Sequence, residues 1–173
     1  LIEAEKNGCL GPVAVIAAAL SVIDPRERPE GKEAAAGQAQ AEFAVPGSDF
    51  LTVLRLWKWW QKTRSDLSRN QADKQARKRF LNAQRLHEWG QLHAQLLGLA
   101  REEGWKPGKP GQAEPDVVHR SLLSGLLAMI GQHAEKGEYE GARGHKFRIF
   151  PGSVLGQRTP GWITAGELVE TGR

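Results

Sequence analysis

Apolar and polar positions along the chain alternate with two different periods, and the change from one to the other divides the sequence. The most apolar run, 13–20, continues into Val22 and Ile23 and leaves no polar helical face, so it predicts a helix buried on all sides. Pro12 suits its first turn, and Pro25 disfavours helical geometry at Asp24. The run is far shorter than the ~20 residues that cross a bilayer, so no membrane partner is expected. An Ala-rich stretch, 33–42, has good helix propensity but a thin apolar face. Ser48 or Asp49 can cap a helix with Leu51, Leu54, Trp57 and Gln61 in one stripe and Phe50, Val53 and Trp60 beside it. Trp57 is expected in the core. Trp59 points elsewhere and suits interhelical packing better than base stacking.

A helix is predicted over 71–81, with Lys74, Arg77 and Lys78 forming a basic ridge and Arg79 adjacent. Asn82 can cap the next helix, in which Leu86, Trp89, His93, Leu96 and Ala100 recur at helical intervals. Residues 106–111 read as a loop. Pro115-Asp116 opens another helix, with Val118, Leu122, Leu126, Met129 and Ile130 facing inward and Gly125 as a weak point. Glycines at 131, 137, 141 and 144 then mark the passage to β chemistry, and the domain boundary is placed near 138. In His145-Lys146-Phe147-Arg148-Ile149-Phe150 the period becomes two. Phe147 and Ile149 share one face of a strand, Lys146 and Arg148 the other.

Charge sharpens this picture. From Gly141 to Arg158 there are four Lys and Arg and no Asp or Glu, a formal +4 that equals the net charge of all 173 residues. A compact cationic strand of this kind suits a nucleic-acid backbone, whose neutralisation releases counterions; a solvated basic face is the plain alternative. Composition is that of a folded globular chain, 40% hydrophobic and 25% charged, with six Trp. The single cysteine, Cys9, excludes an internal disulfide and favours a reducing, cytoplasmic setting. The start at Leu1-Ile2-Glu3, without Met, reads as an excised fragment.

Four separated stretches, in the same order, resemble the C-terminal part of bacterial DEAH-box ATP-dependent RNA helicases of the HrpA family. They are Gly8-Cys9-Leu10 with Ala17-Ala18-Ala19-Leu20-Ser21 and Asp24-Pro25-Arg26-Glu27-Arg28-Pro29; Ser48-Asp49-Phe50-Leu51 with Leu56-Trp57; Phe80-Leu81-Asn82 with Arg85, Glu88-Trp89 and His93-Ala94-Gln95-Leu96; and Tyr139 to Ser153 continuing into 162–171. The resemblance implies a mainly α chain. A helical, ratchet-like helicase-associated bundle over 1–138 would be followed by an incomplete antiparallel OB-type β-element over 139–173. It implies an accessory role in forming a single-stranded RNA path against the ATPase domains of the same parent chain. Arg143, Lys146 and Arg148 are the expected RNA contacts, then Lys74, Arg77 and Lys78, with Arg85 taken from the resemblance alone. The contrasting expectation is a protein-interaction module that docks the ATPase domains or a regulatory partner.

Other chemistry finds little support. Neither a Gly-x-x-x-x-Gly-Lys-Ser/Thr loop nor Asp-Glu-Ala-His occurs in these 173 residues, so ATP and magnesium would belong to other parts of the resembled enzyme, and no catalysis and no cofactor are expected here. His87-Glu88 lacks the second histidine of a zinc-protease helix, since position 91 is Gln91. The histidines at 119, 133 and 145 have no ligand spacing, so no metal is expected. Arg143-Gly144 with Phe147 and Phe150 meets four of the seven fixed positions of the RNP1 pattern, and His145, Lys146 and Arg148 break it. About three strands can be drawn over 145–173, too few to close a five-stranded barrel. The open edge would pair with another copy, pack back on the helices, or stay mobile.

Overall fold

The computed structural model describes residues 1–108, 113–156 and 158–169. The second half of the 106–111 loop and the Glu170-Thr171 end of the family resemblance lie outside the described residues. Among those residues there are seven α-helices: α1 (Ile2–Lys6), α2 (Leu10–Leu20), α3 (Glu33–Gln40), α4 (Asp49–Asp66), α5 (Arg69–Lys78), α6 (Ala83–Glu102) and α7 (Pro115–Leu123). Four short strands follow, β1 (Ile130–His133), β2 (Glu138–Gly141), β3 (Lys146–Arg148) and β4 (Trp162–Thr164), in one antiparallel sheet of order β3-β2-β1-β4. No described helix is long and apolar enough to cross a membrane.

Helix α2 is buried along most of its length because it has no polar side to offer water. Val15 and Ala18 face one core cluster with Trp57, Trp60, Leu86 and Trp89. Leu10, Val13 and Ile16 face a second cluster with Ala4, Ala100, Val118 and Leu122. The indole N–H of Trp89 donates to the Val15 carbonyl at 2.9 Å, so the largest side chain of α6 enters the core with its polar atom satisfied. Trp60 and Trp89 each bury roughly 150–250 Å², on the order of 4–6 kcal/mol of gross apolar stabilisation apiece.

Capping residues sit where local chemistry predicts. The Ser48 hydroxyl accepts from the Leu51 amide at 3.2 Å, and the Asn82 side chain accepts from the Arg85 amide at 3.1 Å. Trp57 is buried, as expected, but the buried line of α4 runs through Thr52, Leu56, Trp60 and Thr63. Leu51 and Leu54 are only half-buried and Gln61 is exposed, because α4 is covered on two sides, by α2 and by the Phe43 turn. Trp59 is held in packing, with Phe43 at 5.3 Å and the Arg79 guanidinium 4.9 Å over its ring. Helix α5 starts earlier than 71, at a Ser68–Gln71 capping box, and stops at Lys78. There Phe80 turns through φ +54° and Leu81 bridges Arg26.

The largest departure lies after α7. The helix expected to reach Ile130 ends at Leu123, and Ile130 opens β1. The change from helix to strand therefore precedes 138, and among the described residues of the 145–173 stretch, where about three strands are expected, there are two. Gly131 and Gly141 hid β1 and β2, since glycine lowers strand propensity. Their role is spatial: a Cβ at Gly131 would stand 2.4 Å from Phe147 Cζ, and one at Gly141 3.1 Å from Phe147 Cε1. The Cζ and Cε1 atoms of the Phe147 ring thus occupy the space that side chains at both glycines would take. Ile149 is half-buried beyond the end of β3, not within the strand.

Among the described residues the sheet is open, with β3 and β4 at its edges, and the segments around β4 pack back on the helices. Asp49, at the start of α4, accepts from the Ser153 hydroxyl and from the Val154 amide. Gly166 lies under Leu20 and Phe50, where a Cβ would come within 2.9 Å of Leu20 Cδ2.

Two outcomes follow from this packing. Gly131→Ala should destabilise the sheet by about 1–3 kcal/mol through overpacking against Phe147, measured as a lower denaturation midpoint with altered Phe147 ring signals in NMR. Stability should also fall in mild acid. Burial holds His93 and His119 below their ordinary value, so the unfolded chain binds more protons than the folded one as pH drops below about 6.5. Stability is complete above that pH and declines beneath it. Denaturation at about pH 7.5 and about pH 5.5 should show the loss, and His93→Leu should reduce the difference.

Candidate nucleic-acid interface

The strand register decides what the basic stretch becomes. Glu138 pairs with Arg148, Tyr139 with Phe147 and Glu140 with Lys146 across β2 and β3. Directly opposed residues share a face, so Lys146 and Arg148 share theirs with Glu138 and Glu140. An Arg148 guanidinium nitrogen donates to Glu138 Oε1 at 2.9 Å, and this bond, with the nearby Lys146 and Lys136 charges, holds the Glu138 carboxyl below its ordinary range. A window free of acids along the chain is therefore not free of them in space. Lys146 remains exposed and outside any ion pair among the described residues.

Arg143 occupies the turn between β2 and β3. It is exposed at φ +60°, a left-handed conformation costing roughly 1–2 kcal/mol for a residue with a Cβ. Gly144 follows at φ +74°, and the pair carries the chain through a tight reversal that presents the guanidinium at the tip.

On the helical side, Lys74, Arg77 and Lys78 are exposed on α5. Arg77 and Lys78 lie in its last turn, where the helix dipole favours cations. The acid of this helix, Asp73, is turned to α6 and bonds His87 Nε2 at 2.8 Å, so it does not neutralise the ridge. Arg79 is engaged with Glu42 and Trp59. Arg85 is half-buried and donates to the Asp24 carbonyl at 3.0 Å, which fixes it to the 24–28 strap.

That strap is one of the links between the two basic groups among the described residues. On one side the Pro25 carbonyl accepts from the Asn82 amide and the Phe80 carbonyl from the Glu27 amide, both at 2.8 Å. On the other, the Arg28 guanidinium packs beside Phe150 against Gly152. Helix α5 packs on α4 and α6, while β3 pairs with β2.

Two concave surfaces went unread in the sequence. One, of about 500 Å³, is lined by Arg64, Leu67, Arg69, His87, Gly90, Gln91 and Ala94; its residues come from three helices, which no local pattern joins. The other, of about 480 Å³, lies on the sheet and includes Leu127, Gln132, Glu140 and Trp162. Alternation in Trp162-Ile163-Thr164 was the available signal for the second, since it puts Trp162 and Thr164 on the face opposite Ile163.

Residues 1–53 match the family model described as the helicase-associated domain (HA2), ratchet-like, and residues 118–173 match that of the oligonucleotide/oligosaccharide-binding (OB) fold. Over its whole length the chain is 42% identical to an ATP-dependent RNA helicase HrpA homolog of Haemophilus influenzae and 40% identical to the ATP-dependent RNA helicase HrpA of Escherichia coli. It is 27% identical, again over its whole length, to the human probable ATP-dependent RNA helicase DHX35. The chain spans 13% of the length of each bacterial relative and 24% of the human one.

The cross-strand ion pair has a direct test. Replacing Arg148 with Ala should bring the Glu138 carboxyl back toward its ordinary range in an NMR titration, and an unchanged titration would mean that the pair does not form in solution.

Proposed function

We propose, from the premise that this chain belongs to the HrpA family of DEAH-box ATP-dependent RNA helicases, that it is an accessory module of such an enzyme and forms part of its single-stranded RNA path. The observation that carries the proposal is the α5 ridge, three exposed cations whose nearby acid, Asp73, is bonded elsewhere. Lys74, Arg77 and Lys78 hold phosphates in this reading, joined by Arg143 and Lys146 at the β2–β3 end. Arg148 and Arg85 contribute mainly by fixing the strand pair and the strap, because each has a partner within the chain. ATP and magnesium are held by other parts of the parent enzyme, which works in the cytoplasm. Phosphate contact through flexible cations gives position on the strand and little sequence preference.

Titration with single-stranded RNA tests this. Affinity should fall as salt rises, with a log–log slope that shrinks by about 0.7 for each phosphate contact removed. Charge reversal at Lys74, Arg77 and Lys78 together should remove most binding at low salt, and Lys146→Glu with Arg143→Glu should remove a smaller part. Unchanged affinity in the ridge variant would favour the alternative, a module that docks the ATPase domains or a regulatory partner.

A further inference from the structure

The sheet surface carries more than charge. Register places Trp162 opposite Gln132, Gln132 opposite Glu140, and Glu140 opposite Lys146, so four side chains cross the sheet in one rank. The rank spans roughly 14 Å, three interstrand steps of about 4.8 Å. Its ends differ in chemistry. Trp162 is 64% exposed, and 63%-exposed Leu127 lines the same groove, about 480 Å³ in volume, a size within the range of small-molecule sites. Lys146 lies at the other end with Glu140 between, while Glu138 stands beside them on the same face, paired with Arg148.

We propose that this face binds one nucleobase of an RNA strand, stacked on the Trp162 indole and contacted along its edge by Gln132 and Glu140, with the attached phosphate toward Lys146. The proposal rests on the RNA-binding reading above and adds to it a base site. An indole left in water at a sheet edge offers a π-face to any base. The Glu140 carboxylate repels phosphate from the middle of the rank, so the part of a nucleotide that fits there is its uncharged base. Glu140 accepts only, while Gln132 both donates and accepts. A carboxylate therefore favours cytosine, adenine or guanine, each of which offers an exocyclic amino group. Uracil has one N–H between two carbonyl oxygens, and those oxygens face the carboxylate unfavourably. A modest base preference thus arises beside a backbone contact that has none.

The test uses the 173-residue chain with oligocytidylate, oligouridylate and an abasic ribose-phosphate oligomer of equal length, and separately with cytidine monophosphate while the Trp162 indole N–H is followed by NMR. Oligocytidylate should bind several-fold more tightly than the other two. Trp162→Ala should weaken that binding about tenfold and leave the abasic oligomer unaffected; Trp162→Phe should retain most of it, and Glu140→Gln should level cytidylate with uridylate. Cytidine monophosphate should shift the Trp162 indole signal, a result that supports the base site even if longer oligomers fail to bind. An indole signal unmoved by the nucleotide, with cytidylate affinity unchanged by Trp162→Ala, overturns the proposal. The general reading then stands or falls separately, by whether charge reversal on α5 still weakens RNA binding.

Discussion

Covering α2 is the constraint on which the remaining structure depends. An eleven-residue helix with no polar face must be surrounded, and the chain surrounds it with α6 and α4 along its length and with α1 and α7 at its start. The helix contributes to both core clusters, Val15 and Ala18 to one and Leu10, Val13 and Ile16 to the other. The Trp89 hydrogen bond to the Val15 carbonyl adds direction to that burial. Apolar area alone tolerates many arrangements, whereas a buried N–H with one acceptor in reach selects among them.

The β part joins this core through a few specific contacts. Asp49 follows the cap of α4 and also receives the Ser153 hydroxyl and Val154 amide. Ser48 caps the same helix and meets His119 Nε2 at 2.8 Å. Two adjacent residues therefore tie α4 both to α7 and to the loop that leads toward β4. Leu20, the last residue of α2, lies over Gly166 just after β4. The strap at 24–28 makes a parallel connection, with the α5–α6 junction on one side and Gly152 on the other. The Arg26 ion pair with Asp24 and the Asn82 hydrogen bond to Glu27 hold the strap in place.

Charge behaves differently in the chain and in the fold. Between Gly141 and Arg158 the sequence holds four cations and no acids, yet β2 places Glu138 and Glu140 opposite two of those cations. The ridge on α5 changes the other way, since Asp73 looks like a neutralising neighbour in sequence but turns toward His87. Net charge in a window is a sum along one strand, while a ligand meets the sum over a face.

Local signals located α2, α4, α6 and the start of α7: an unbroken apolar run for α2, spacings of three and four for α4 and α6, and Pro115-Asp116 for α7. Capping at Ser48 and Asn82 was equally legible, being a contact across three residues. The alternation at 145–150 correctly put Lys146 opposite to Phe147, and the order of family-like stretches identified the helicase-associated and OB segments. What the fold alone decided involves partners distant in sequence. Gly131 and Gly141 looked like breaks in structure until the Phe147 ring took the space of their side chains. Arg148 looked free until register paired it with Glu138, and Trp162 gained its neighbours only when β4 joined β1 at the edge of the sheet. Local sequence determines which side chains a segment can present to one face; strand pairing and helix packing determine what stands opposite, and both the charge and the shape of a binding surface depend on that second choice.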